Sequence, residues 1–152
     1  MAALSAERSV SRKGAEATGV VPVITVPLKA AAKVYKGGIV AIDRGSGYAV
    51  SGSSLAAANV VVVGIALKSV DNTSGSNGSL SVDCIRGLFP FANLVADAVA
   101  AADVGIAVYV EDDQTIRKTS ATSTRSVAGF FWGFDENSLP LVEIGIRSAT
   151  GV

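Results

Sequence analysis

The chain has 152 residues, no histidine and a single cysteine, Cys84. Without imidazole it lacks the commonest general base, the usual partner of Ser and Cys nucleophiles, and the usual nitrogen ligand of zinc. One thiol excludes an intramolecular disulfide framework. Neither a Gly-x-x-x-x-Gly-Lys-Ser/Thr loop nor a Gly-x-Gly-x-x-Gly turn between strand and helix occurs, so the common nucleotide-binding signatures are missing. An excess of either charge is missing as well, because 13 Lys and Arg balance 13 Asp and Glu. Duplex binding rests on basic side chains that neutralise several phosphates, and this balance offers no such footprint. Long apolar runs are also absent. Val60 to Leu67 is the longest near-apolar stretch, far below the ~20 residues of a membrane-spanning helix, and Met1 to Arg8 has no continuous apolar segment of the secretory type. The expectation is a soluble protein made in the cytoplasm, not an enzyme, with no metal, no cofactor, and neither nucleic acid nor membrane as a partner.

What is present is alanine, valine and glycine. Hydrophobic residues make up 49% and charged ones 17%, enough for a sizeable core. Sixteen glycines against four prolines fit short strands joined by tight turns. The order of these residues carries more information, because much of it is said twice. Ala30-Ala31-Ala32 leads through Val34 and Gly37-Gly38 into Ile39 to Asp43, and Ala100-Ala101-Ala102 leads through Val104 and Gly105 into Ile106 to Glu111. Val62-Val63-Gly64-Ile65-Ala66-Leu67, followed by Asp71-Asn72, is answered by Val127-Ala128-Gly129-Phe130-Phe131-Trp132, followed by Asp135 and Asn137. Leu80 to Arg86 returns as Leu141 to Arg147. Two copies of a β-unit, neither able to bury its apolar face alone, imply one body built from both. We therefore expect an all-β fold: a small β-barrel or sandwich over residues 20–152, with pseudo-repeats at about 28–86 and 96–147. One short helical connector, Ala96 to Ala102, and an extended N-terminal arm over residues 1–19 complete it.

Within that frame Val20 to Pro27 reads as a sheet edge or a connection, since Pro22 and Pro27 each remove a ladder donor. Ile39 to Asp43 and Tyr48 to Ser51 flank a Gly-rich turn, and Val60 to Leu67 reads as a central strand covered on both faces. Asp71 to Gly78 has the composition of an exposed loop, with its two sequons read as polar loop rather than glycan sites, and a strand follows from Leu80. Leu88 to Asn93 reads as a bulky turn around Pro90. Ile106 to Glu111 and Thr115 to Thr119 make a hairpin, and Val127 to Phe134 and Leu141 to Arg147 finish the sheet. Glu111-Asp112-Asp113 matches no calcium-loop pattern and reads as a solvated hairpin tip. Lys29, Lys33 and Lys36 read as a solvated basic face, and Cys84 as a small buried hydrophobe. Phe130 to Phe134 places large rings on both faces of one strand, and Phe89 and Phe91 flank Pro90, so these aromatics are core or interface. The candidate interface residues are Leu4, Arg8, Val10 and Arg12 of the arm with Phe89, Pro90, Phe91, Phe131 and Trp132.

The series from the Ala-rich connector and Gly-Gly-Ile-Val through Val-Val-Gly-Ile-Ala-Leu, Ser-Leu-Ser-Val-Asp, Ala-Asp-Val-Gly-Ile-Ala-Val-Tyr-Val and the closing Leu-Val-Glu-Ile-Gly resembles the capsid cement, or head decoration, proteins of tailed bacteriophages. The resemblance runs from about Val23 to Arg147. It implies a small β-barrel virion protein on the outside of the mature head, braced across major capsid protein subunits, commonly as a homotrimer, with a dimer as the alternative. It carries over no active residues. The arm would then run across the capsid or a sister subunit. A glycan-binding β-barrel with Trp132 and Tyr48 as stacking platforms is the competing class.

Overall fold

The computed structural model describes residues 3–10, 23–54 and 60–144. Thirteen short strands form two main sheets and a small ribbon. In the first half lie β1 (Val23–Pro27), β2 (Lys33–Val34), β3 (Ile39–Asp43), β4 (Ala49–Ser51), β5 (Val60–Ala66), β6 (Val70–Asp71) and β7 (Ser81–Ile85). The second half holds β8 (Gly87–Pro90), β9 (Ala92–Asn93), β10 (Ala107–Val110), β11 (Thr115–Arg117), β12 (Val127–Phe134) and β13 (Pro140–Ile144). Sheet one has the order β1-β7-β5-β3-β4, sheet two β8-β13-β12-β10-β11-β9, and β2 pairs with β6 in the ribbon. The fold is an all-β sandwich.

The duplication seen in the sequence is present strand by strand. β7-β5-β3-β4 has the same order as β13-β12-β10-β11, and β1 pairs antiparallel with β7 as β8 does with β13. Its hydrogen bonds repeat too. The Gly37 and Ala66 amides donate to the Ala66 and Gly38 carbonyls, as the Gly105 and Phe131 amides donate to those of Phe131 and Ile106. Both units carry a bulge at the same place: Val40 faces Gly64 and Ala41 faces Val62, while Val108 faces Gly129 and Tyr109 faces Val127. The residue next to the bulge is glycine in both, because a Cβ on Gly64 would strike the Ile85 carbonyl of β7 and one on Gly129 the Glu143 carbonyl of β13. One difference is a slip of two residues in how the last strand pairs with the bulged one, Ile65 opposite Ile85 but Phe130 opposite Glu143. A slip of two preserves which side chains face inward.

The two units are stacked in the same sense. Val26, Leu28, Val40, Val63, Ala66, Val82 and Cys84 form a cluster on one face of sheet one. Their equivalents Phe89, Phe91, Val108, Ala128, Phe131, Val142 and Ile144 all belong to the other cluster, between the sheets. Ile39, Ala41, Val62 and Ile65, on the opposite face of sheet one, fill that second cluster from the other side. Thus the inner face of unit two closes on the outer face of unit one. The inner face of unit one is closed differently, by the β2·β6 ribbon with Val34 buried and Val70 partly so.

β5 is third of five strands and buried on both faces from Val62 on, as its unbroken apolar sequence implies. β1 is an edge strand ending at Pro27. The connector contains two 3₁₀ turns, Val95–Asp97 and Ala101–Asp103.

The expected turn at Leu88 to Asn93 is instead β8 and β9. β8 is the outer strand of sheet two, where a proline at its end costs no inner ladder bond, and β9 runs parallel to β11. The loop after β6 is exposed except at Asn72, which is buried; its amide donates to the Lys29 and Ser76 carbonyls at 3.0 Å and its oxygen accepts from the Ser79 hydroxyl at 2.6 Å. Gly145 to Arg147, the end of the last expected strand, lies outside the described residues.

Candidate functional surfaces

The acidic hairpin tip organises the first surface. Asp112 and Asp113 are buried, not solvated. Their backbone joins the two units, because the Ile39 amide at the start of β3 donates to the Asp113 carbonyl at 2.9 Å. The Asp113 carboxylate accepts from the Leu4 amide at 2.8 Å and from the Ser51 hydroxyl at 3.4 Å. The Asp112 carboxylate accepts from the Gln114 amide, and Glu111 accepts from Arg117 at 2.8 Å. Arg117 also donates to Asp97 at 2.9 Å, tying the connector to the hairpin. The Thr119 hydroxyl and amide donate to the same Asp97 carboxylate and, with Arg117, hold it below the usual carboxylate range.

The N-terminal segment Ala3–Val10 lies along this seam. Arg8 donates its amide to the Lys36 carbonyl and its Nε to the Gly37 carbonyl, both at 2.9 Å. Its guanidinium stands 5.5 Å from the centre of the Phe91 ring. Burial lowers the Arg8 pKa, and the Asp113 and Asp112 charges oppose that shift. Val10 packs on the inter-sheet cluster, and the Ser69 hydroxyl donates to Glu7. Space for the segment is made by Gly37-Gly38: a Cβ on Gly37 would lie 2.6 Å from the Arg8 carbonyl, and one on Gly38 3.1 Å from Leu4. Leu4, Arg8 and Val10 are therefore used on the chain's own body, where the sequence had them reaching a partner. Arg12 lies outside the described residues.

Phe89, Phe91 and Phe131 are at most 1% exposed. As core of unit two they present no surface to a partner, which corrects their place among the candidate interface residues. Pro90 is half-buried at the end of β8, its carbonyl 3.5 Å from the Arg8 guanidinium. Trp132 is 60% exposed on the outer face of sheet two, its indole nitrogen donating to Glu143 at 3.0 Å. Phe134 stacks edge-on against Phe131 with ring centres 5.2 Å apart. The half-buried companions of Trp132 on that face are Phe130, which the sequence left as core or interface, and Leu88, Tyr109 and Leu141, which sequence reasoning missed. The alternation of Tyr109 with Val108 and Val110 was the available signal.

Comparison with protein-family models, with curated proteins and with solved structures gave no match.

Of the remaining candidates, Lys29 pairs with Asp43 at 2.7 Å and Lys33 with Asp71 at 3.6 Å, so these two are partnered cations. Cys84 is fully buried with its thiol directed at the Ile24 carbonyl, and burial together with the neighbouring Asp83 pushes its pKa to about 11. No cluster of three or more metal-ligating side chains occurs among the described residues. Trp132 and Tyr48 lie on different sheets, Tyr48 beside β4 and Trp132 on β12, so they form no common stacking platform.

Proposed function

We propose that this chain is a structural protein of a tailed-phage virion, binding the outer surface of the mature head and stabilising it by bridging major capsid protein subunits. The observation that carries this reading is the motif series of the resemblance. Gly-Gly-Ile-Val leads into β3 and Val-Gly-Ile-Ala lies on β5 of unit one, while Gly-Ile-Ala-Val-Tyr-Val leads into β10 and Leu-Val-Glu-Ile lies on β13 of unit two. The chain's charges support the same reading, since the buried Asp113 and the half-buried Arg8 and Arg117 are spent on holding segments together. A rigid β-body that binds only the assembled shell stabilises that shell by mass action, and repeated docking on a lattice needs only modest affinity per contact.

The test is to add the purified chain to bare heads, measure cosedimentation, and heat the decorated heads while following DNA release. Saturable binding with a raised release temperature is expected. Failure to bind any head lattice, together with specific retention on a glycan array, would replace the proposal with the glycan-binding reading.

A further inference from the structure

The nested stack leaves one face over. In unit one, Ile39, Ala41, Val62 and Ile65 form the outer face and are buried against unit two. Their equivalents in unit two are Ala107, Tyr109, Val127 and Phe130, and all four are only half-buried. Leu88 and Leu141 extend this face along β8 and β13, and Trp132, 60% exposed, stands on it. The same surface that unit one buries inside the chain is thus repeated, apolar and part exposed, at the end of the stack.

We propose that this outer face of sheet two is a self-association surface, on which a second copy of this chain packs about a two-fold axis. Repeating the internal stack from copy to copy is blocked, because the inner face of unit one is already filled by the ribbon carrying Val34 and Val70. A head-to-tail contact of that kind has no seat, so the face meets its own like, which is the isologous arrangement. Charge on the face is sparse. Arg117 at its margin is paired with Asp97 and Glu111, and Glu143 accepts a hydrogen bond from the Trp132 indole, which leaves its negative charge in place and sets a cost on the contact. Area sets the strength. A sheet face about five strands wide and about five residues long spans roughly 400 Å² in projection, so two faces bury on the order of 800–1,000 Å², the low end for a specific interface. The dimer is accordingly weak and concentration-dependent, with Trp132, Phe130 and Tyr109 as its anchors.

Sedimentation velocity of the full chain across a wide concentration range tests this. A monomer–dimer equilibrium is expected, weakened about 30-fold or more by Trp132→Arg, which keeps a partner for Glu143, and by Phe130→Ser. Val95→Ser, at an 87% exposed site on the connector, should leave it unchanged. Unaltered melting of Trp132→Arg separates lost association from lost folding. A monomer at every concentration, a trimer of the kind the resemblance implies, or a dimer indifferent to both variants would overturn the proposal. A monomer that still decorates heads would remove this inference alone and leave the capsid reading in place.

Discussion

Gly37 and Gly105 occupy the same place in the two units, both with positive φ, +83° and +93°, yet their surroundings differ completely. A Cβ on Gly105 meets nothing within 4 Å, whereas one on Gly37 would lie 2.6 Å from the Arg8 carbonyl, 2.7 Å from Arg8 Cγ and 2.8 Å from a Val10 methyl. Gly105→Ala therefore measures backbone strain alone, about 1–2 kcal/mol for an L residue in the left-handed region. Gly37→Ala adds eviction of residues 3–10 to the same strain. Losing the Leu4 amide from the buried Asp113 carboxylate by itself costs about 1–3 kcal/mol. At about 2–4 °C per kcal/mol for a chain of this size, Gly105→Ala should lower the melting temperature by roughly 2–8 °C and Gly37→Ala by several degrees more. Deleting residues 1–10 closes the cycle, because without the segment the two alanines should cost the same. Equal costs in the full chain, or a difference that survives the deletion, would refute the docking of the N-terminal segment on Gly37-Gly38.

Asn72→Ala should cost about 2–3 kcal/mol, since the Lys29 and Ser76 carbonyls lose their donor; limited proteolysis should then nick the loop over residues 72–79. Because the Asp97 pKa is depressed in the folded state, its contribution is present above the ordinary carboxylate value of about 3.9 and is lost as pH falls through the folded value. Acid titration should accordingly release the Thr119 amide to hydrogen exchange before global unfolding, and Asp97→Asn should abolish that step. Cys84 acts in the opposite direction: its folded pKa of about 11 exceeds the ordinary 9.0, so the folded state holds the proton longer and stability falls as pH rises between those values. Thiol reagents at pH 8 should label Cys84 only at the rate of global opening, and labelling at the rate of a free thiol would contradict its burial.

The existence of two units was legible because each repeats a glycine where two backbones touch, at Gly64 and Gly129, and a bend that needs positive φ, at Gly37 and Gly105. Such positions tolerate no other residue cheaply, so they mark a fold even in a sequence of small apolar residues. Which face of each unit turns inward was not legible. Ile39-Val40-Ala41-Ile42 is apolar on both faces and carries no alternation, and only Tyr109 between Val108 and Val110 hinted that the second unit keeps one face outside. Pro90 misled, because its missing donor argues for a turn only when the strand is internal, and β8 is an edge. Asp112 and Asp113 misled for a related reason: aspartate in a turn is ordinarily solvated, and what buries this pair is a segment more than a hundred residues away in sequence. The candidate interface split along the same line, with the aromatic rings in the core and Trp132 outside, since ring size gives no direction.

The unequal closure of the two cores sets an order of birth. The half that leaves the ribosome first carries its own lid, the ribbon, and can complete an interior before the second half is made. Among the described residues the second half has no ribbon of this kind, and its core closes on Ile39, Ala41, Val62 and Ile65 of the first. Swapping the two halves in the gene would therefore oblige the lidless one to wait, exposed, for its cover to be synthesised, and a fall in soluble yield from that swap is the expected cost.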